Sequence, residues 1–214
     1  MRAVRRCVEA LFEAYPGVRL QHDTQWKLTD IVGRLRHEYP DVPFHYYFET
    51  SAMRPDGGIL SVIVDGEGPL PILVSEKKNQ GTNDLRALEG KPPQAKGNAI
   101  ERLGKNVIGF RTALRGEAIT PFVCFGDGVD FADDSSILDR VVTIAMFGEL
   151  GRTVVHDEGA AGDFDRGSFH FKVEEWKEDE MYEVCYDICE RSLLYYMSKY
   201  GKTKVLPNED ANAV

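Results

Sequence analysis

The sequence predicts an α/β or mixed α+β fold, on three observations. Apolar residues recur at helical spacing in several stretches, β-branched runs bounded by turn residues lie between them, and the two kinds alternate irregularly along the chain. With 214 residues, 43% of them apolar and 29% charged, the chain suits one domain with a sizeable core. That domain is expected over 1–200, with a flexible tail over 201–214.

The elements follow in order. Ala3–Tyr15 and Thr24–Glu38 read as helices, the second with Asp23 as a possible N-cap and Pro40 just past its end. Phe44–Phe48 is a short aromatic strand candidate. Ile59–Val64 is β-branched, Asp65-Gly66-Glu67-Gly68 is a turn cluster, and Pro71–Lys78 returns, so the pair reads as a hairpin. Gly81, Gly90, Pro92, Pro93 and Gly97 break 79–97 into a long loop of the kind that usually carries function. Asn98 can cap a helix to about Leu114, with Gly116 as its stop. Ile119–Phe125 reads as a buried strand, Ser135–Phe147 as a helix, and Trp176–Tyr200 as a longer helix.

A net charge of −9 and a pI near 5.1 argue against a protein that coats nucleic acid without specificity. The charge is unevenly placed. Residues 77–115 hold nine Lys and Arg against three acids, a local +6, amid Gly, Asn and Gln; 116–139 hold six acids and no base. A polyanion responds to that local field, and the +6 segment speaks against an acidic protein that mimics DNA.

Cys7, Cys124, Cys185 and Cys189 form no CxxC pair, and Cys185 and Cys189 share one helical face as buried thiols. The histidines add no zinc spacing. The N-terminus reads as an amphipathic helix and not as a signal peptide, and no apolar run of membrane-spanning length occurs. A reduced, cytoplasmic protein without a membrane partner is expected.

Chemistry concentrates on the hairpin. Asp56 stands at the entry to its first strand, and Glu76 and Lys78 at the end of its second. Strand side chains alternate, so Glu76 and Lys78 share a face and Lys77 points away. Two adjacent carboxylates give oxygen ligands for Mg²⁺, which can neutralise charge on a phosphodiester and acidify an attacking water. A neighbouring lysine can orient that water, stabilise the phosphorane, or take the proton if its pKa is depressed. The set matches a nuclease site of the PD-(D/E)xK kind. The bare pattern by itself reads sooner as a turn Asp and a solvent-facing Glu/Lys on an edge strand. What favours the nuclease is that both halves fall on strand boundaries of one hairpin, with the basic segment directly after it.

Three blocks in order, Met53-Arg54-Pro55-Asp56-Gly57-Gly58-Ile59, Ile72–Gly81 with its Glu76-Lys77-Lys78-Asn79-Gln80-Gly81, and Gly97-Asn98-Ala99-Ile100-Glu101-Arg102, resemble the EcoRI family of type II restriction endonucleases. Lys105-Asn106 fits the same pattern, and a fainter likeness covers Glu175-Trp176 to Leu193-Leu194. The resemblance implies an α/β restriction-endonuclease-like core, a mixed central β-sheet flanked by helices. It implies Asp56, Glu76 and Lys78 as catalytic residues, with Mg²⁺ held by Asp56, Glu76 and the Lys77 main-chain carbonyl. It also implies double-stranded DNA as substrate, cut at a palindromic AATT-centred site such as GAATTC by a homodimer, and a cognate DNA methyltransferase in the same system.

Gly97–Arg102 resembles the major-groove reader. Asn98 can pair with adenine, Ala95 or Ala99 can meet a thymine methyl, Gly97 admits the backbone, and Glu101 and Arg102 can brace the half-sites. Lys91, Lys96 and Lys105 suit phosphate clamping, and Gln80, Gln94 and Asn106 complete the DNA-facing set. Where the family reads its outer pair with two arginines, Ile137-Leu138-Asp139-Arg140 offers only Arg140. Two alternatives stay open: a catalytically silent sequence-specific DNA-binding protein, and a structure-specific DNA nuclease on the same core.

Overall fold

Five strands make one mixed sheet with helices on both faces. The computed structural model describes residues 2–79, 87–88, 90, 98–114, 116–132, 136–157 and 166–207, with only the backbone for 98–99. Helix α1 (Arg2–Ala14) buries Ala3, Val4, Cys7 and Leu11 as one stripe. Strand β1 (Leu20–Asp23) follows, then β2 (Trp26–Lys27), α2 (Leu28–Glu38) and β3 (Ala52–Met53), which pairs with β2 as a separate ribbon. The hairpin is β4 (Ile59–Val64) and β5 (Gly68–Asn79), and its turn places Gly66 and Gly68 both at φ 84°. Helix α3 (Asn98–Ala113), β6 (Phe122–Asp127), α4 (Ser136–Ile144), β7 (Ser168–Lys172), α5 (Glu178–Tyr200) and α6 (Lys202–Val205) complete the order.

The sheet runs β1-β4-β5-β6-β7. The β1/β4 and β4/β5 pairs are antiparallel, and β5/β6 and β6/β7 are parallel. The β4/β5 register shifts where Leu60 faces Leu73 and Ser61 faces Pro71, leaving Ile72 unmatched. Pro71 has no N–H for a regular ladder, which is why a bulge is tolerated there. One face packs on α1 and α5 through Leu60, Leu73, Val123 and Phe125; the other packs on α3 and α4 through Val74, Leu103, Phe110 and Phe122. Burying Phe110 completely makes its loss by truncation worth about 3–5 kcal/mol.

Several expectations shift. The second helix starts at Leu28, because Trp26-Lys27 is taken up by β2. Phe44–Phe48 is not a strand: Tyr47 and Phe48 are largely exposed and no partner strand runs beside them among the described residues. The third hydrophobic run forms its strand only from Phe122, since Pro121 cannot donate to a ladder. Strands β1 and β7 are additional edge elements. Within 201–214, α6 has Val205 fully buried against the α1/α5 core, and 208–214 lie outside the described residues.

Candidate active site

The site forms where β5 outruns β4. Beyond Val74, β5 pairs only with β6, and the Pro55–Gly58 turn takes the vacated side, with Gly57 N donating to Ser75 O at 2.8 Å and Gly58 N to Pro55 O at 3.0 Å. Gly58 has φ 76°, and a Cβ there would lie 2.5 Å from His22 Nε2 and 2.6 Å from Asp23 O. Only glycine fits. His22 Nε2–H also donates to Gly57 O at 2.9 Å, so β1 fixes the turn from behind.

That turn delivers Asp56 to the end of β5. Asp56 N donates to Glu76 Oε2 at 3.0 Å, and Lys77 N donates to Asp56 Oδ2 at 3.1 Å. Lys78 Nζ lies between the carboxylates, 3.2 Å from Asp56 Oδ2 and hydrogen-bonded to Glu76 Oε1. Glu76 is 2% exposed, while the Asp56 side chain is 52% exposed at the cleft mouth. Burial works against the Lys78 charge, but the Glu76 hydrogen bond and the charges of Glu76 and Asp56 outweigh it and raise the Lys78 pKa. Lys78 is therefore an ammonium here and does not take a proton in this state. Behind it Cys124, paired with Glu76 in the β5/β6 register, is a neutral thiol whose pKa burial pushes up.

Lys77 faces the other side. Its Nζ is 3.0 Å from Asp127 Oδ2 and 3.7 Å from Glu175 Oε1, and Asp127 is 1% exposed and also receives Trp176 N at 3.4 Å. The alternation expected along Glu76-Lys77-Lys78 is present.

Asp56, Glu76 and Lys78 open into a cleft of about 670 Å³, whose opposite wall is α3 with Arg102, Lys105 and Asn106. Asn106 Nδ2 donates to Glu76 Oε1 at 3.3 Å. Helix and floor meet closely: a Cβ on Gly109 would stand 2.3 Å from Met53 Sδ.

The restriction endonuclease EcoRI family model matches residues 1–146, a span that includes every block from Met53 to Asn106. This chain belongs to the EcoRI restriction endonuclease family. It is 35% identical over 167 residues to the type II restriction enzyme RsrI of Cereibacter sphaeroides, covering 73% of this chain and 57% of that protein. It is 27% identical over 224 residues to the type II restriction enzyme EcoRI of Escherichia coli, covering 86% of this chain and 79% of that enzyme. The alignment thus takes in little more than half of the RsrI length. The mixed sheet with helices on both faces is consistent with the restriction-endonuclease-like fold.

Among the described residues, no three or more His, Cys, Asp or Glu side chains gather as a metal cluster. Asp56 and Glu76 still suit a hard divalent cation, because the Lys78 ammonium already bonds to both and marks a spot that favours positive charge. Mg²⁺ held by one or two carboxylates keeps waters and substrate oxygens as its other ligands, so no third side chain is required.

The remaining residues of the EcoRI-like pattern divide by position. Glu101, Arg102 and Lys105 are exposed on α3, and Asn106 is half-buried. Arg140 is exposed on α4 and is not among the residues that line this cleft. Asn98 and Ala99 begin α3, whereas Gln80, Lys91, Gln94, Ala95, Lys96 and Gly97 lie outside the described residues. The structure adds Arg54, which lines the cleft and donates through Nε to Gln25 Oε1 at 2.8 Å. Its place next to Pro55-Asp56 was the available signal. No helix of the described residues is long and apolar enough to cross a membrane.

Proposed function

We propose that this protein is a Mg²⁺-dependent type II restriction endonuclease that hydrolyses phosphodiester bonds of duplex DNA at a palindromic AATT-centred site, GAATTC among the candidates. The observation that carries the reading is the Asp56–Lys78–Glu76 constellation facing Arg102 and Lys105 across one cleft. Asp56, Glu76 and the Lys77 main-chain carbonyl would hold Mg²⁺, which supplies charge neutralisation at the scissile phosphate and a more acidic attacking water.

The chain's own groups do the rest. Glu76, buried and bonded on both oxygens, holds one face of the ion site rigid, and Asp56 closes it from the exposed side. Lys78, protonated between them, donates hydrogen bonds to the attacking water and to the oxygens that gain charge in the pentavalent transition state. Arg102 and Lys105 neutralise flanking phosphates and set the register of the duplex. Gly97, Asn98 and Ala99 read the central bases and Glu101 braces the half-sites, while Gln80, Lys91, Gln94, Ala95, Lys96, Asn106 and Arg140 complete the DNA contact set.

A palindromic target calls for a two-fold symmetric homodimer. A cognate DNA methyltransferase protects the host sites in the cytoplasm without a stable complex, and the nuclease is a single domain whose core takes in Val205 of α6 beyond the 1–200 expected. Incubation of plasmid DNA with Mg²⁺, followed by sequencing of the ends, tests the reading. Discrete ends at AATT are expected, and absence of cutting would remove the enzymatic reading.

A further inference from the structure

Four residues of α3 recur at helical spacing on the face turned to the cleft: Arg102, Lys105, Asn106 and Gly109. They do different things. Arg102 and Lys105 are exposed cations, and Gly109 allows the helix to lie against Met53, where a Cβ would come within 2.3 Å of sulfur. Asn106, between them, turns its amide inward and donates to Glu76 Oε1 at 3.3 Å, across 30 residues of sequence.

Glu76 has few ways to move. Its Oε2 takes the Asp56 N–H at 3.0 Å, and its Oε1 takes both Lys78 and Asn106. The first two donors belong to the hairpin and its entry turn. Asn106 is the donor that comes from α3. A helix is stiff over one turn, and Arg102 and Asn106 are one turn apart, about 6 Å along the axis. The group that touches the carboxylate and the groups that would touch DNA phosphates are therefore parts of one rigid body.

We propose that Asn106 is a positioning residue: it holds the Glu76 carboxylate in the orientation that binds the metal, and it ties that orientation to the seating of α3 on DNA. This rests on the endonuclease reading and refines the part assigned to Asn106 within it, from a DNA contact to a link with the catalytic carboxylate. Outer hydrogen bonds to ligating carboxylates commonly govern metal affinity or activity by 10–100-fold, and that is the size of effect expected here.

The test uses the full-length protein and three variants, Asn106→Ala, Asn106→Asp and Asn106→Gln. Asn106→Asp keeps the shape but loses the donor and places a carboxylate against Glu76; Asn106→Gln keeps the amide on a longer stem. Three quantities are measured: duplex affinity in EDTA by fluorescence anisotropy, Mn²⁺ affinity of the protein–DNA complex by calorimetry, and the single-turnover cleavage rate in Mg²⁺. For Asn106→Ala the expected result is a 10–100-fold loss in Mn²⁺ affinity and cleavage rate, with metal-free DNA affinity within about twofold of wild type. Asn106→Asp should lose at least as much cleavage, and Asn106→Gln should recover part of both.

Loss of metal-free DNA affinity matching the loss of rate would overturn the proposal, because Asn106 would then be a phosphate contact. Wild-type Mn²⁺ affinity and cleavage in Asn106→Ala would also overturn it. A merely structural role would lower Tm without moving Mn²⁺ affinity of the folded protein. Failure of the endonuclease reading looks different, since wild-type protein would then cleave no duplex at all.

Discussion

Lys77 and Lys78 are neighbours in sequence on opposite faces of β5, so truncating each should damage a different property. Lys77→Ala leaves Asp127, 1% exposed, without its ammonium partner at 3.0 Å, while the Trp176 N–H at 3.4 Å stays. Removing one partner of a fully buried ion pair costs about 3–5 kcal/mol. The Lys77 side chain is 28% exposed, so water already screens part of that interaction, and a loss of about 2 kcal/mol is the better figure. For a chain of this size each kcal/mol moves Tm by about 2–4 °C, giving a fall of about 4–8 °C. Cleavage measured well below Tm should stay within about threefold of wild type, because Lys77 turns its side chain away from the cleft.

Lys78→Ala should do the opposite. It removes the cation shared by Asp56 and Glu76, and loss of a single preorganised donor at a reacting centre costs about 100–1,000-fold in rate. Differential scanning fluorimetry and single-turnover cleavage of a labelled duplex, run on both variants, give the two numbers. An equal loss of cleavage in Lys77→Ala and Lys78→Ala would refute the assignment of faces.

Three further outcomes are expected. Gly58→Ala, forced to φ 76° with its methyl 2.5 Å from His22 Nε2, should destabilise by about 2–4 kcal/mol and slow cleavage with it, read by chemical denaturation and activity. Arg102→Ala and Lys105→Ala should each lower the slope of log affinity against log salt by about one in titrations of DNA binding, and an unchanged slope would remove that residue from the phosphate contacts. All four cysteines are buried, so a colourless thiol reagent should label none rapidly in the native protein and all four in denaturant.

Parts of this molecule are legible in its sequence because they obey local rules. The β4/β5 hairpin shows as two apolar runs around Asp65-Gly66-Glu67-Gly68, and the shared face of Glu76 and Lys78 follows from the two-residue period of any strand. The need for Gly58 is visible as a motif letter, but its cause is tertiary: His22 and Asp23 on β1 lie behind it. β1 and β7 escape notice because they are four and five residues long and lie at the sheet edges, where few residues repeat a pattern. Trp26-Lys27 looks like the start of a helix until β3 supplies a partner. Asn106 reads from the sequence as a DNA-facing residue; only the approach of α3 to β5 shows that its amide meets Glu76.

The −9 net charge illustrates the same division. It is a property of the whole chain, whereas Lys78, Arg102 and Lys105 are gathered at one cleft. The sequencing of plasmid ends after incubation with Mg²⁺, with EDTA as the parallel reaction, reports on that cleft most directly. Ends confined to AATT-centred palindromes in Mg²⁺, intact plasmid in EDTA, and cutting slowed about 100–1,000-fold with Lys78→Ala are the predicted results. Uncut DNA in Mg²⁺, or ends scattered without regard to sequence, would contradict the account.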